Sequence, residues 1–192
     1  MEYEILSESH THKIIALSET EIGKVDGAKN FIWINQATGQ PEPLLNFVLD
    51  VDNEIKRMKF ANSINGLLVK FIRKDKFNNQ EDMIVMERLY PIPHDSFSLQ
   101  ERTIFFEKFN NEILELHRNR FLHGDIRHPI RAEPEMLFNN IILTQTGLRL
   151  VDTGFSFIRE TEDDDNNFRS LSYTERQEVL SFKSYFLRSI EK

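Results

Sequence analysis

Two aspartates and an asparagine in the second half of the chain have the types and spacing to hold a divalent metal and orient a nucleophile. His123-Gly124-Asp125 ends a polar loop, Asn140 opens the apolar run Asn-Ile-Ile-Leu, and Asp152-Thr153-Gly154 follows a second apolar run. Read as elements, an amphipathic helix leads into the loop that presents Asp125. A short β ribbon then carries Asn140 before its first strand and Asp152 after its second. Carboxylate and carbonyl oxygens are the ligands a hard divalent cation takes, and a further carboxylate beside them can orient a hydroxyl.

The elements that must position these groups follow from periodicity. Runs at Tyr3 to Ser7, Lys13 to Ser18 and Asn30 to Asn35 (NFIWIN) are β-like, with Asp26-Gly27 as a turn between the later two. Leu44, Val48, Val51, Ile55 and Met58 predict a helix from about Leu44 to Asn62. Gly66 to Arg73 and Asp82 to Arg88 predict two strands joined by the polar loop KDKFNNQE, and Pro91 and Pro93 then break the chain. Ser98-Leu-Gln-Glu101 predicts a capping box, with Phe105, Phe109, Ile113 and Leu116 inward on the helix it opens. Strands are expected at Ile141 to Leu143 and Leu148 to Val151. A second box, Ser172-Tyr-Thr-Glu175, predicts a last helix buried through Val179, Phe182, Phe186 and Ile190. The expected class is α+β with two segregated parts.

Composition narrows the choices. The 192 residues are 40% apolar and 29% charged, ordinary for a soluble protein. There is no cysteine, which excludes disulfides, thiolate nucleophiles and Cys-based zinc sites. The net charge of −7 argues against nucleic acid as a partner, and five of the acidic residues crowd into positions 160 to 165, expected as a solvated loop. No apolar run approaches the roughly 20 residues of a membrane span. The start MEYEILSESH has no Sec signal, so the expected location is cytoplasmic, or a host cytosol reached without such a signal.

The His-Gly-Asp loop, the asparagine and Asp-Thr-Gly together resemble the protein-kinase-like superfamily, whose loop reads H-R-D-L-x-x-x-N ahead of D-F-G. Glycine in second position is usual in atypical and small-molecule kinase branches. Met83 to Leu89 looks like the fifth strand and hinge, with Glu87 and Leu89 at the adenine, and Asn53 to Met58 looks like the αC helix around Glu54. The resemblance implies a small antiparallel β N-lobe with one helix (about 1–88), a hinge (87–93) and a reduced, mainly helical C-lobe (94–192). It implies ATP and Mg²⁺: Asn140 and Asp152 as metal ligands, with Asn139 the alternative to Asn140. Asp125 would handle the substrate hydroxyl, with Arg127 on the transferring phosphate and His123 organising the loop through hydrogen bonds. Lys29 is the expected strand-three lysine, with Lys24 its competitor, held by Glu54.

The departures are definite. Fifteen residues separate Asp125 from Asn140, where the family pattern has five. Ser7 to Lys13, where a glycine-rich loop belongs, has no glycine, and no A-P-E follows Asp152. Small chains of this kind resemble Rio-type atypical kinases and the truncated kinases that bacteria inject into host cells. The expected activity is phosphoryl transfer, foremost to Ser/Thr of a protein. The alternatives are a small-molecule phosphotransferase, a pseudokinase serving as a binding module, or an unrelated α+β protein with no ATP site.

Overall fold

Alternating apolar residues in the first third of the chain build one antiparallel sheet. In the computed structural model, residues 3–8, 12–26, 32–34, 41–43, 50–127, 137–162 and 164–188 are described. Strands β1 (Ile5–Glu8), β2 (His12–Ala16) and β3 (Glu21–Asp26) are followed by a separate ribbon of β4 (Ile32–Ile34) and β5 (Pro41–Pro43). Helix α1 (Val51–Ile64) precedes β6 (Phe71–Phe77) and β7 (Glu81–Glu87). The five-stranded sheet has the order β1-β2-β3-β7-β6. Then come α2 (Leu99–Arg118), β8 (Phe121–Leu122), the hairpin β9 (Ile141–Thr144) and β10 (Gly147–Leu150), β11 (Phe157–Ile158), and α3 (Asp165–Phe186). The class is α+β. Among the described residues no helix is long and apolar enough to cross a membrane.

The chain forms two compact units. The first is Met1–Lys56 with Phe71–Arg88, and the second is Arg57–Lys70 with Leu89–Lys192. Residues 57–70 join the second unit because Val69 N–H donates to the Leu150 carbonyl and Leu150 N–H to the Leu67 carbonyl. In the first unit Ile15, Val25, Met83 and Val85 pack on one sheet face, with Tyr3, Leu17 and Phe77 against them. The second unit is held by aromatic rings of α2 and α3. Phe182 stands 5.7 Å from Phe109, 5.2 Å from Phe138 and 5.3 Å from Phe186. Arg102, buried on α2, donates to the carbonyls of Phe186 and Arg188 and closes the C-terminal end of α3.

Several expected elements are corrected. Strand β3 runs over Glu21–Asp26, where no strand is expected, and takes in Asp26 of the expected turn. Of the NFIWIN segment, the described Ile32–Ile34 forms β4 and pairs with β5 in the small ribbon. Asp50 caps α1 through its side chain, accepting from Asn53 N–H at 3.1 Å, so the described helix begins at Val51; residues 44–49 lie outside the described residues. The expected strand at Gly66 to Arg73 starts only at Phe71. The loop expected at 74–81 shrinks to a tight turn, since Asn78 and Asn79 both take positive φ (49° and 59°), a backbone that asparagine tolerates. The Ser98–Glu101 box forms as expected. The Ser172–Glu175 box does not: α3 already begins at Asp165. The acidic stretch supplies its start, with Asp165 paired to Arg159 and Arg169. Ile190 lies outside the described residues.

Candidate active site

Two short pairings bring the second-unit residues together. β8 ends at Leu122 and leads directly into His123-Gly124-Asp125. β10 ends at Leu150 and leads into Asp152-Thr153-Gly154. β11, just beyond, pairs back on β8, Phe157 opposite Leu122 and Ile158 opposite Phe121. The two motifs are thus strapped at both ends. His123, fully buried, reinforces the strap: its Nε2–H donates to the Val151 carbonyl at 2.9 Å, one residue before Asp152. A carbonyl can only accept, so Nε2 carries a proton.

Asn140 closes the arrangement. Its Nδ2 donates to Asp125 Oδ2 at 2.8 Å and to the Asp125 carbonyl at 2.9 Å, across the fifteen-residue separation. Its own carbonyl accepts from Val151 N–H, which sets it beside the residue before Asp152. Of the two candidate asparagines, Asn140 is buried against Asp125 and Asn139 is exposed. Because Nδ2 is engaged by Asp125, the oxygen remains the end of this amide suited to a cation. Asp152 holds φ 63°, a left-handed backbone uncommon for a non-glycine residue, and its Oδ1 accepts from Gly154 N–H at 2.9 Å. An amide oxygen and a carboxylate at one end of the β9–β10 hairpin fit the hard-oxygen chemistry of Mg²⁺. Among the described residues, no three His, Cys, Asp or Glu side chains gather as a metal cluster.

The glycine of His-Gly-Asp has a steric reason. Gly124 takes φ 79°, and a Cβ there would lie 2.3 Å from the Phe155 carbonyl oxygen. A side chain at 124 would push the Asp152 segment off the Asp125 loop.

Two residues that sequence reasoning missed, Glu175 and Arg57, hold this loop pair. Glu175 on α3 is buried, and its Oε1 accepts from His117 Nε2 (2.9 Å) and His123 N–H (3.3 Å). Its Oε2 accepts from Gly124 N–H at 2.7 Å. Burial alone would raise its proton affinity. The His117 bond, the charges of His117 and His123, and the Gly124 N–H outweigh burial and hold the carboxyl below its usual range. The available signal was phase: 175, 179, 182 and 186 lie on one helical stripe, and a carboxylate within an apolar stripe needs partners. Glu178, half-buried one turn further on, has its carboxyl pushed up to about 7 by burial first and then by the charges of Glu175 and Asp125. Arg57 on α1 donates to the carbonyls of Gly154 (2.8 Å) and Thr153 (3.3 Å), and nothing in its sequence surroundings marked it.

In the first unit, Glu54 on α1 meets Lys24 on β3. Lys24 Nζ lies 2.8 Å from Glu54 Oε1, and both side chains are 3–4% exposed. Lys24 pairs in register with Ile14 and Ile84, on the sheet face opposite the Val25 cluster. The expected partner, Lys29, lies outside the described residues. Glu54 takes the competitor instead, because β3 delivers Lys24 to the helix. Glu87 is the last residue of β7, opposite Glu21, and Leu89 is half-buried at the start of the second unit's longer segment. Arg127 is exposed. Residues 9–11, within the stretch expected to face phosphate, and 128–136, within the expected insertion, lie outside the described residues. No protein-family model matches the chain, and a search of curated proteins finds no match.

Proposed function

We propose that the chain is a minimal kinase-like enzyme that transfers the γ-phosphoryl group of ATP to a hydroxyl, foremost a Ser or Thr of a protein. The observation that carries this reading is the buried Lys24–Glu54 pair. A desolvated ion pair is costly to the fold and is weak grounds for stability. It suits a lysine on the third strand of a sheet, held ready for α/β-phosphates by a helix glutamate, as the resemblance implies. The sheet around it supports the kinase-like fold: β7, the fifth of its strands in chain order, pairs with β3 and carries the Met83–Glu87 segment that the resemblance assigns to the hinge.

In this reading Asp125 orients the substrate hydroxyl and takes its proton as the oxygen attacks the γ-phosphorus. The bond to ADP then breaks and ADP leaves. Asn140 fixes the Asp125 carboxylate through Nδ2. Asp152 and the Asn140 oxygen would hold Mg²⁺, which when bound neutralises charge on the phosphate oxygens. Arg127 offers a further positive charge to the transferring group. Catalysis is mainly positioning and electrostatic stabilisation.

A small-molecule phosphotransferase is the second reading. It is favoured by the short path from Asp152 to α3, which starts at Asp165 and leaves little chain for docking a peptide. The test is incubation with Mg²⁺ and γ-labelled ATP, with cell lysate or with small alcohols. Asp125→Ala, Asp152→Ala and Lys24→Met are run in parallel. Label on protein from wild type alone supports the protein kinase, and label on a small alcohol supports the second reading. Absence of both ATP binding and transfer overturns the proposal.

A further inference from the structure

We propose that Arg57 is a positioning residue for Asp152, acting through the Thr153–Gly154 peptide group. It holds the carbonyl of that peptide, whose N–H in turn holds the Asp152 carboxylate. The inference rests on the phosphotransfer reading above, in which Asp152 is a metal ligand. Arg57 Nη1 donates to the Thr153 carbonyl at 3.3 Å and to the Gly154 carbonyl at 2.8 Å. One guanidinium nitrogen carries two hydrogens, one for each of these successive carbonyls. The Thr153 carbonyl and the Gly154 N–H are the two ends of one planar trans peptide, so they point in opposite directions. Fixing one end fixes the other. The Gly154 N–H donates to Asp152 Oδ1 at 2.9 Å. A cation on the carbonyl also polarises the peptide and strengthens its N–H as a donor.

The turn is built around that carboxylate. A Cβ at Gly154 would stand 3.2 Å from Asp152 Oδ1, tighter than ordinary contact, so glycine leaves the carboxylate its place. Asp152 itself is left-handed (φ 63°), a backbone that persists only where its surroundings hold it. Ahead of Asp152 the hold is on Val151, whose carbonyl accepts from His123 and whose N–H donates to the Asn140 carbonyl. Beyond Asp152 the hold is on Thr153 and Gly154. Arg57 takes both carbonyls, and Ser156 N–H shares the first at 3.1 Å. Arg57 belongs to the same compact unit as these residues. A structural staple would secure the whole loop, whereas a positioning residue sets one bond within it, from Gly154 N–H to Asp152.

Arg57→Met keeps most of the stem and removes the donors. In the full chain, NMR should show the Gly154 amide proton exchanging on the order of tenfold faster, the worth of one hydrogen bond. The Val151 amide, held by Asn140, should exchange as in wild type. Mn²⁺ serves as a paramagnetic probe for the Mg²⁺ site, titrated in the presence of a non-hydrolysable ATP analogue. The Mn²⁺ concentration that half-broadens the Gly154 signal should rise on the order of tenfold, and half-saturating Mg²⁺ for transfer should rise with it. Arg57→Lys keeps the charge but gives up the planar fork, so it should show the same changes in smaller measure, and it replaces Arg57→Met if that variant does not fold. An unmoved Mn²⁺ midpoint, or Val151 and Gly154 amides that quicken alike, would overturn the inference while leaving the phosphotransfer reading in place. Absence of both Mn²⁺ broadening and transfer in wild type would overturn that reading, and with it this role.

Discussion

Glu54 and Glu175 are both buried helix carboxylates, and they are bound in opposite ways. Glu54 has its ammonium partner on Oε1, while Oε2 has no hydrogen-bond partner among the described residues. Glu175 uses both oxygens, taking one side-chain and two backbone donors. A satisfied carboxylate fixes backbone, and its donors are lost with it. A half-satisfied pair adds little to the fold, because the desolvation of two charges offsets most of their attraction. The first unit thus holds a buried charge pair, and the second uses its buried charge to set loop geometry.

Removing Glu175 should break this contrast most severely. Glu175→Ala leaves the N–H groups of His123 and Gly124 and the buried ring of His117 without an acceptor. We expect a loss of about 3–5 kcal/mol by denaturant unfolding. A loss below about 1 kcal/mol would show that water or another group replaces the carboxylate.

Double replacements sharpen the difference. Lys24→Met with Glu54→Leu removes both charges together, so stability should change by less than about 1 kcal/mol while phosphate transfer disappears. His117→Leu with Glu175→Leu also removes a pair, but the buried His123 N–H and the part-buried Gly124 N–H lose their acceptor. We expect about 2 kcal/mol of destabilisation to persist. Equal stability losses in the two double variants, measured by chemical denaturation, would erase the distinction.

The same contrast explains what was legible beforehand. His123, Asp125, Asn140 and Asp152 were readable because each sits in a short motif whose spacing is local. Lys24 stood only as the competitor to Lys29, because Gly23 and the charged residues of EIGKVD mask the alternation of β3. A Cβ at Gly23 would meet the flexible Met83 side chain, whose sulfur lies 2.4 Å from that position. Glu175 was misread because Ser172-x-x-Glu175 satisfies the capping pattern. Only the earlier start of α3 turns that glutamate inward. Arg57 was silent, since its partners are carbonyls nearly a hundred residues away. Local chemistry shows in sequence, whereas long-range anchoring of backbone does not.

Gly124→Ala is a milder strike at the anchored loop. The methyl group meets the Phe155 carbonyl and a left-handed backbone at once, so we expect about 1–3 kcal/mol of destabilisation. Transfer should fall as well, since Asp125 and Asp152 are strapped through this contact. Unchanged transfer at unchanged stability would mean that the loops part without consequence.

Acid titration gives the gentlest test, because it alters Glu175 without altering shape. Its folded proton affinity lies below the ordinary 4.5, so its contribution is fully present above that value and is lost as pH falls through the lower folded value. Unfolding midpoints of wild type should therefore drop on acidification below about 4.5. In Glu175→Gln that part of the drop should vanish, because nothing remains at 175 to protonate. In Lys24→Met with Glu54→Leu the drop should survive, since the second unit's anchor is untouched. An acid limb that persists unchanged in Glu175→Gln would count against Glu175 as its source.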